Sequence, residues 1–178
     1  LRMSRGLGDV YKRQVLSKTY RSSYEISQFT QRLLGREQLP GAFERHDEAP
    51  RIVESDTEQS MEQGIASEAA GFLAHGFESV AVICKTRISA EKLYKSLEKL
   101  IPAHLHLVGP DSRKFYKGIT VIPVYMAKGL EFDAVIVYGA DKKNYFTELD
   151  NRLLYIACTR ALHRLVLYYT GEKSPFLP

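Results

Sequence analysis

The residues best suited to chemistry in this 178-residue chain are a few cations and one carboxylate set beside apolar runs. Arg160 follows Leu153-Leu154-Tyr155-Ile156-Ala157-Cys158, and a guanidinium on so apolar a stretch must reach an edge or find an anion. A phosphate would satisfy it, and so would an internal ion pair with Glu131 or Asp133. Arg21 stands at the mouth of a helix, between Tyr20 and Ser22. There its side chain and the helix N-terminus can both face an anion, unless it is simply a solvated cation on a surface helix. Glu131 lies two residues after Gly129 in the loop spanning 126–133. The glycine allows a tight turn or a close backbone approach, and the carboxylate can accept from hydroxyl donors or pair with Lys128. Thr86 and Arg87 end an apolar run with a hydroxyl and a cation, a pair that suits a phosphate backbone or caps the next helix. Tyr125 can stack on a base or fill the core. His46, His75, His104, His106 and His163 show neither metal spacing nor a nucleophile partner. The sequence contains no Gly-x-x-x-x-Gly-Lys-Ser/Thr loop, so it has no cradle of its own for nucleotide phosphates and Mg2+.

The elements that must position these groups are visible in the apolar spacing. Residues 119–125 are β-branched and apolar, and 134–138 form an apolar run too short for a helix. Both read as strands covered on two faces, and they are expected to pair around the glycine loop. A polar loop leaving a buried strand is where open α/β sheets place ligand sites. Upstream, residues 16–23 run extended into a helix begun by Ser22 or Ser23, carrying Ile26, Phe29, Leu33 and Leu34, and ended by Gly35. A polar connection over 36–50 leads to a short strand at 51–54. Asp56 or Thr57 then caps a helix to about His75, with Gly76 as its stop. Residues 80–84 predict a central parallel strand, 90–100 a helix, 105–108 a further strand and 109–118 a basic loop. A helix over 153–161 would deliver Arg160, and 165–169 would be the last strand. Alternating strands and helices predict an α/β fold with a parallel sheet and right-handed crossovers.

Composition narrows the function classes. With 44% hydrophobic residues the chain can bury one core, and it fits a single domain. No apolar run approaches the ~18 residues of a membrane helix and no secretory leader is visible, so a cytoplasmic protein without membrane contacts is expected. Cys84 and Cys158 lie in apolar patterns without metal-ligand spacing and read as reduced core residues. The formal charge of +4 is unevenly spread, because Arg2, Arg5, Lys12 and Arg13 against Asp9 supply three of those charges within residues 1–14. That segment resembles a translated sequencing adaptor over 9–14 and is expected to be a non-native assembly scar, leaving 15–178 as the domain. Basicity is therefore weak evidence for a nucleic-acid surface.

Three stretches resemble motifs of superfamily-one helicases of the UvrD, Rep and PcrA type. Ala127-Lys128-Gly129-Leu130-Glu131-Phe132 followed by an apolar strand looks like motif V. Arg152-Leu153-Leu154-Tyr155-Ile156-Ala157-Cys158-Thr159-Arg160-Ala161 is similar to motif VI, and Lys18-Thr19-Tyr20-Arg21-Ser22-Ser23 resembles motif IV. They occur in the family's order. The resemblance implies a RecA-like second motor domain without its own phosphate loop. ATP and Mg2+ would then be held by an N-terminal RecA-like domain not contained in this sequence. It further implies that Arg160 and Arg21 contact the γ-phosphate, that Glu131 beside Gly129 contacts the ribose, and that Thr86 and Arg87 meet single-stranded DNA. Pro123 and Tyr125 depart from the threonine and histidine that UvrD-type motif V presents. In this the chain resembles the HelD branch, including helicase IV relatives, whose Gram-positive members recycle RNA polymerase. The implied activity is an ATP-driven motor on nucleic acid, or an ATP-gated polymerase remodeller that does not unwind duplex. The isolated chain is expected not to hydrolyse ATP.

Overall fold

A computed structural model describes residues 22–36, 45–101, 103–109 and 117–178. The chain runs α1 (Tyr24–Leu33), β1 (Arg51–Ser55), α2 (Glu58–Ala74), β2 (Ser79–Cys84), α3 (Arg87–Leu100), β3 (Leu105–Leu107), β4 (Gly118–Pro123), β5 (Phe132–Tyr138), α4 (Glu148–Cys158) and β6 (Ala161–Thr170). The strands form one six-stranded sheet in the order β1-β6-β5-β2-β4-β3, with every pairing parallel.

The sheet is sandwiched because its central strands are apolar at nearly every position. Ala81, Ile83, Val135, Val137, Leu165 and Leu167 pack on one face with Ile26 and Phe29 of α1 and Leu154, Ala157 and Cys158 of α4. Alternate residues Val80, Val82, Ala134, Ile136 and Val166 pack on the other with Met61, Ile65 and Ala69 of α2 and Ala90, Leu93 and Leu97 of α3. Period-two alternation feeds both cores at once, which is why these strands read as continuous apolar runs. Each helix begins at a side-chain cap, Ser23, Thr57, Thr86 and Thr147 in turn. The first helix ends before Gly35 and the second before Gly76, both with positive φ.

One strand pairing and several element boundaries differ from the sequence expectation. Strands β4 and β5 are not partners, because β2 lies between them, with Val80 opposite both Ile119 and Ala134. Parallel strands need a crossover rather than a tight turn, and the loop between β4 and β5 supplies it. Strand β4 stops at Pro123, and Val124–Met126 wind into a 3-10 turn closed by the Ala127 amide on the Val124 carbonyl at 3.1 Å. The helix α3 starts at Arg87, since Thr86 already caps it. The helix α4 starts at Glu148, because Thr147 and Asp150 form a reciprocal capping box, and it ends at Cys158. Arg160 is thus not a helical residue but part of the turn joining α4 to β6. The basic loop at 109–118 and the connection at 36–50 lie largely outside the described residues, as do the extended stretch before α1 and the segment expected to be a scar.

Candidate functional site

Parallel strands give the sheet two unlike ends, and the crossover from β5 through α4 to β6 joins them. The strands enter at one edge, where Glu131 precedes β5 and Arg160 precedes β6. They leave at the other, where Lys85, Thr86 and Arg87 follow β2 and Tyr125 follows β4. The sequence-predicted residues therefore fall into two groups on opposite edges. The loop expected to carry a ligand where it leaves β4 brings Gly129 and Glu131 to the entering edge instead.

At the entering edge Arg160 is stapled to the glycine loop. Its backbone carbonyl accepts from the Phe132 amide at 2.9 Å, and its Nη1 donates to the Leu130 carbonyl at 3.2 Å, so Glu131 is held between two residues that both bond Arg160. The same guanidinium donates from Nε to the Ile156 carbonyl at 3.2 Å and from Nη2 to Thr159 Oγ1 at 3.1 Å. All three acceptors are neutral, and among the described residues no carboxylate forms an ion pair with Arg160. Partial burial lowers its pKa from the usual arginine value, while the charge of nearby Glu131 acts in the opposite direction. The ion pair with Asp133 left open by the sequence does not form. Asp133 instead accepts from the Glu78 and Ser79 amides at 2.9 Å and from Ser79 Oγ at 3.0 Å, bolting the start of β5 to the start of β2.

Gly129 takes φ +84, a conformation glycine adopts without strain, and a Cβ built there meets nothing within 4 Å. The glycine is required by backbone shape, and the space beside it is open. Glu131 itself is exposed. Arg21 lies outside the described residues, but the chain that follows it is anchored at this edge. Ser22 Oγ donates to the Ala161 carbonyl at 2.6 Å, and the Ser23 amide to the Leu162 carbonyl at 3.2 Å.

At the leaving edge Thr86 accepts from the Ser89 amide at 3.1 Å as the cap of α3, and Arg87 donates to Glu91 Oε1 at 2.6 Å. Both are exposed. Tyr125 is 57% exposed on its 3-10 turn, which removes the core-aromatic reading. Sequence reasoning passed over Lys85, Phe146 and Asp150. Lys85 forms an ion pair with Asp150 Oδ1 at 2.5 Å, and Phe146, 59% exposed, has its amide on Asp150 Oδ2 at 3.2 Å. The signal available was the threonine three residues before Asp150, a capping-box spacing that marks the true start of α4.

Comparison with solved structures identifies the class. Over 89% of its length the chain matches the crystal structure of the C-terminal domain of a possible DNA helicase from Lactobacillus plantarum WCFS1, covering 91% of it at a TM-score of 0.75 and 31% identity. The fold is the RecA-like fold of helicase C-terminal domains. A more distant match, at TM-score 0.48 and 16% identity over 68% of this chain and 28% of the other, is Arterivirus nonstructural protein 10, a helicase solved with DNA. Among curated proteins none matches in sequence. Residues 118–168, from β4 through β6, match the model of the UvrD-like helicase C-terminal domain. The chain belongs to the UvrD-like helicase C-terminal domain family.

Proposed function

We propose that this chain is the second motor lobe of an ATP-dependent DNA helicase or translocase, completing from one side a nucleotide site whose phosphate-gripping floor belongs to an N-terminal RecA-like lobe. The observation that carries the reading is Arg160, a partly buried cation whose described partners are all neutral oxygens. Such a group, with Glu131 near it but no ion pair among the described residues, is poised to take a further anion. The entering edge fits the end of a nucleoside triphosphate. Arg160, together with Arg21 from the motif leading into α1, would meet the terminal phosphate. Glu131 would accept from ribose hydroxyls beside the open space at Gly129. ATP supplies the phosphoryl group whose transfer drives motion, and Mg2+ falls to the other lobe. The part of this chain is to place positive charge where negative charge develops, a preorganised electrostatic contribution. In the same reading Thr86, Arg87 and Tyr125 meet single-stranded nucleic acid at the leaving edge, with the exposed ring available to stack. Residues 15–178 make up the lobe, and 1–14 are foreign to it.

A second reading keeps the nucleotide chemistry and changes its output. Pro123 and Tyr125 stand where UvrD-type motif V has a threonine and a histidine, which favours a HelD-like factor that uses ATP to release RNA polymerase from nucleic acid. The test is made on the intact protein and on the chain by itself. The intact protein is expected to hydrolyse ATP faster with a single-stranded oligonucleotide, and the chain alone not at all. Turnover by the chain alone that vanishes with Arg160→Ala would sink the two-lobe reading. Duplex unwinding selects the motor, whereas polymerase release without unwinding selects the second reading.

A further inference from the structure

The junction between Lys85 and Asp150 lies at the leaving edge, at the head of the helix that crosses to the other, and has no part in the nucleotide contacts proposed above. Lys85 is the first residue after β2, and three groups hold its ammonium. These are the Asn144 carbonyl, Asp150 Oδ1 at 2.5 Å, and the face of Tyr145, whose ring centroid lies 5.7 Å away. The side chains of this pair are 24% and 12% exposed, against 62% and 48% for Lys92 with Glu58 and 79% and 68% for Lys117 with Glu78. Exposed pairs constrain little, whereas a shielded pair holds its partners in place, because separating them strands a charge away from water.

Asp150 is the stronger half of the clamp. Its Oδ2 accepts from the Phe146 and Thr147 amides at 3.2 and 3.0 Å, so one carboxylate closes the N-terminal box of α4 and grips the strand β2 loop together. Burial raises its pKa, but the hydrogen bonds from Lys85 and from the Thr147 and Phe146 amides outweigh burial, and the carboxyl is held well below the usual carboxylate range. From this clamp α4 runs 11 residues, a length of about 16 Å, to the entering edge. Leu154, Ala157 and Cys158 are fully buried along it, and Arg160 Nε bonds the Ile156 carbonyl in its last turn. The helix is a packed rod, clamped at one end and carrying the cation of interest at the other. The hydroxyl of Tyr145, whose ring the ammonium faces, is buried and has no hydrogen-bond partner among the described residues.

We propose that Lys85 is a positioning residue: by clamping Asp150 it ties the N-terminal end of α4 to the head of α3 at Thr86 and Arg87, so that nucleic acid gripped at the leaving edge sets the placement of Arg160. The inference rests on the proposed motor reading and adds to it the path by which a bound strand regulates turnover.

The test measures ATP turnover by the intact protein with and without a single-stranded oligothymidine probe. Because Lys85→Met alone leaves Asp150 without its partner, it is paired with the double variant Lys85→Met/Asp150→Asn. That variant removes both charges while keeping an oxygen for the Thr147 and Phe146 amides. Either variant is expected to cut the ratio of stimulated to unstimulated turnover by about tenfold, with the KM for ATP within about threefold of the parent. Parental stimulation in the folded double variant, or a loss of rate matched by a loss of folded protein, overturns the inference alone. An unmodified protein that the probe does not stimulate, or one indifferent to Arg160→Ala, overturns the motor reading and the inference with it.

Discussion

Replacing Arg160 by alanine in the intact protein separates a catalytic cation from a structural one, because the structure bounds what each role is worth. An arginine aimed at a transferring phosphoryl group contributes roughly 10³ to 10⁵ in rate, which at 1.36 kcal/mol per tenfold is about 4 to 7 kcal/mol. The structural alternative is much smaller. Arg160 makes three hydrogen bonds of 3.1 to 3.2 Å, all to neutral oxygens and none deeply shielded. At about 0.5 to 1.5 kcal/mol each, with solvent able to replace some of them, alanine should cost the fold about 2 kcal/mol. For a domain of this size that lowers the melting temperature by roughly 4 to 8 °C. The assay is steady-state ATP turnover at saturating ATP and saturating single strand, beside a thermal melt of the same preparation. A fall in kcat of at least about a thousandfold with the melt only slightly lowered is the expected outcome. Arg160→Lys keeps the charge and loses the planar fork, so it should fall between the two. Turnover by the folded alanine variant within about tenfold of the parent would refute the reasoning.

Other substitutions reach different parts of the argument. Glu131→Gln should raise the KM for ATP while leaving that for 2′,3′-dideoxy-ATP nearly unchanged, because the carboxylate's proposed partners are absent from the second substrate; equal effects on both would refute the ribose contact. Gly129→Ala forces an L-residue to φ +84 and should destabilise the domain by about 1 to 2 kcal/mol in chemical denaturation, although no atom lies within 4 Å of the added methyl. Burial pushes the thiols of Cys84 and Cys158 well above the ordinary cysteine range, so neither should react with a disulfide reagent until the protein unfolds, and rapid labelling of the native chain would contradict this. Burial and the neighbouring Glu68 carboxylate push the Tyr168 hydroxyl up to about 12. Since unfolded tyrosine ionises near 10, that contribution to stability is complete below about pH 10 and is lost as pH rises toward 12. Tyr168→Phe should flatten the decline of the melting temperature across that window.

What could be read from the sequence was whatever short-range physics decides. Apolar runs such as Val80 to Ile83 announced buried strands, and Ser23, Thr57, Gly35 and Gly76 punctuated helices where the structure places caps and stops. The proximity of Arg160 and Glu131 followed from motif resemblance rather than from spacing, since it depends on β5 and β6 lying side by side. Strand order is a non-local choice, and so β4 and β5 were expected to pair when β2 in fact separates them. Arg160 was assigned to a helix because its neighbours are apolar at helical spacing. The helix yields to β6 at Cys158, because the run from Ala161 onward gains a ladder with β5 that a lengthened helix would forfeit. Lys85 escaped notice for the same reason, its partners lying 59 and 65 residues away in the chain.

Placing Arg160 on a turn rather than a helix has a physical consequence. Within a helix its backbone carbonyl would be spent on the ladder, whereas here it accepts from Phe132, and the side chain reaches the Leu130 carbonyl. Both neighbours of Glu131 are thereby bonded to Arg160, so the backbone of Glu131 and the guanidinium belong to one local unit. Asp133 secures that unit to β2 through the Glu78 and Ser79 amides, and β2 is also the strand from which Lys85 emerges. The two edges of the sheet are therefore connected by the central strand as well as by α4. A strand buried on both faces is stiff, since its close packing tolerates little relative displacement. A displacement at the leaving edge can then be passed to Arg160 only where packing and bonding offer an alternative arrangement. In the proposed coupling that place is the clamp at the head of α4, where Lys85 holds Asp150, and not the strand.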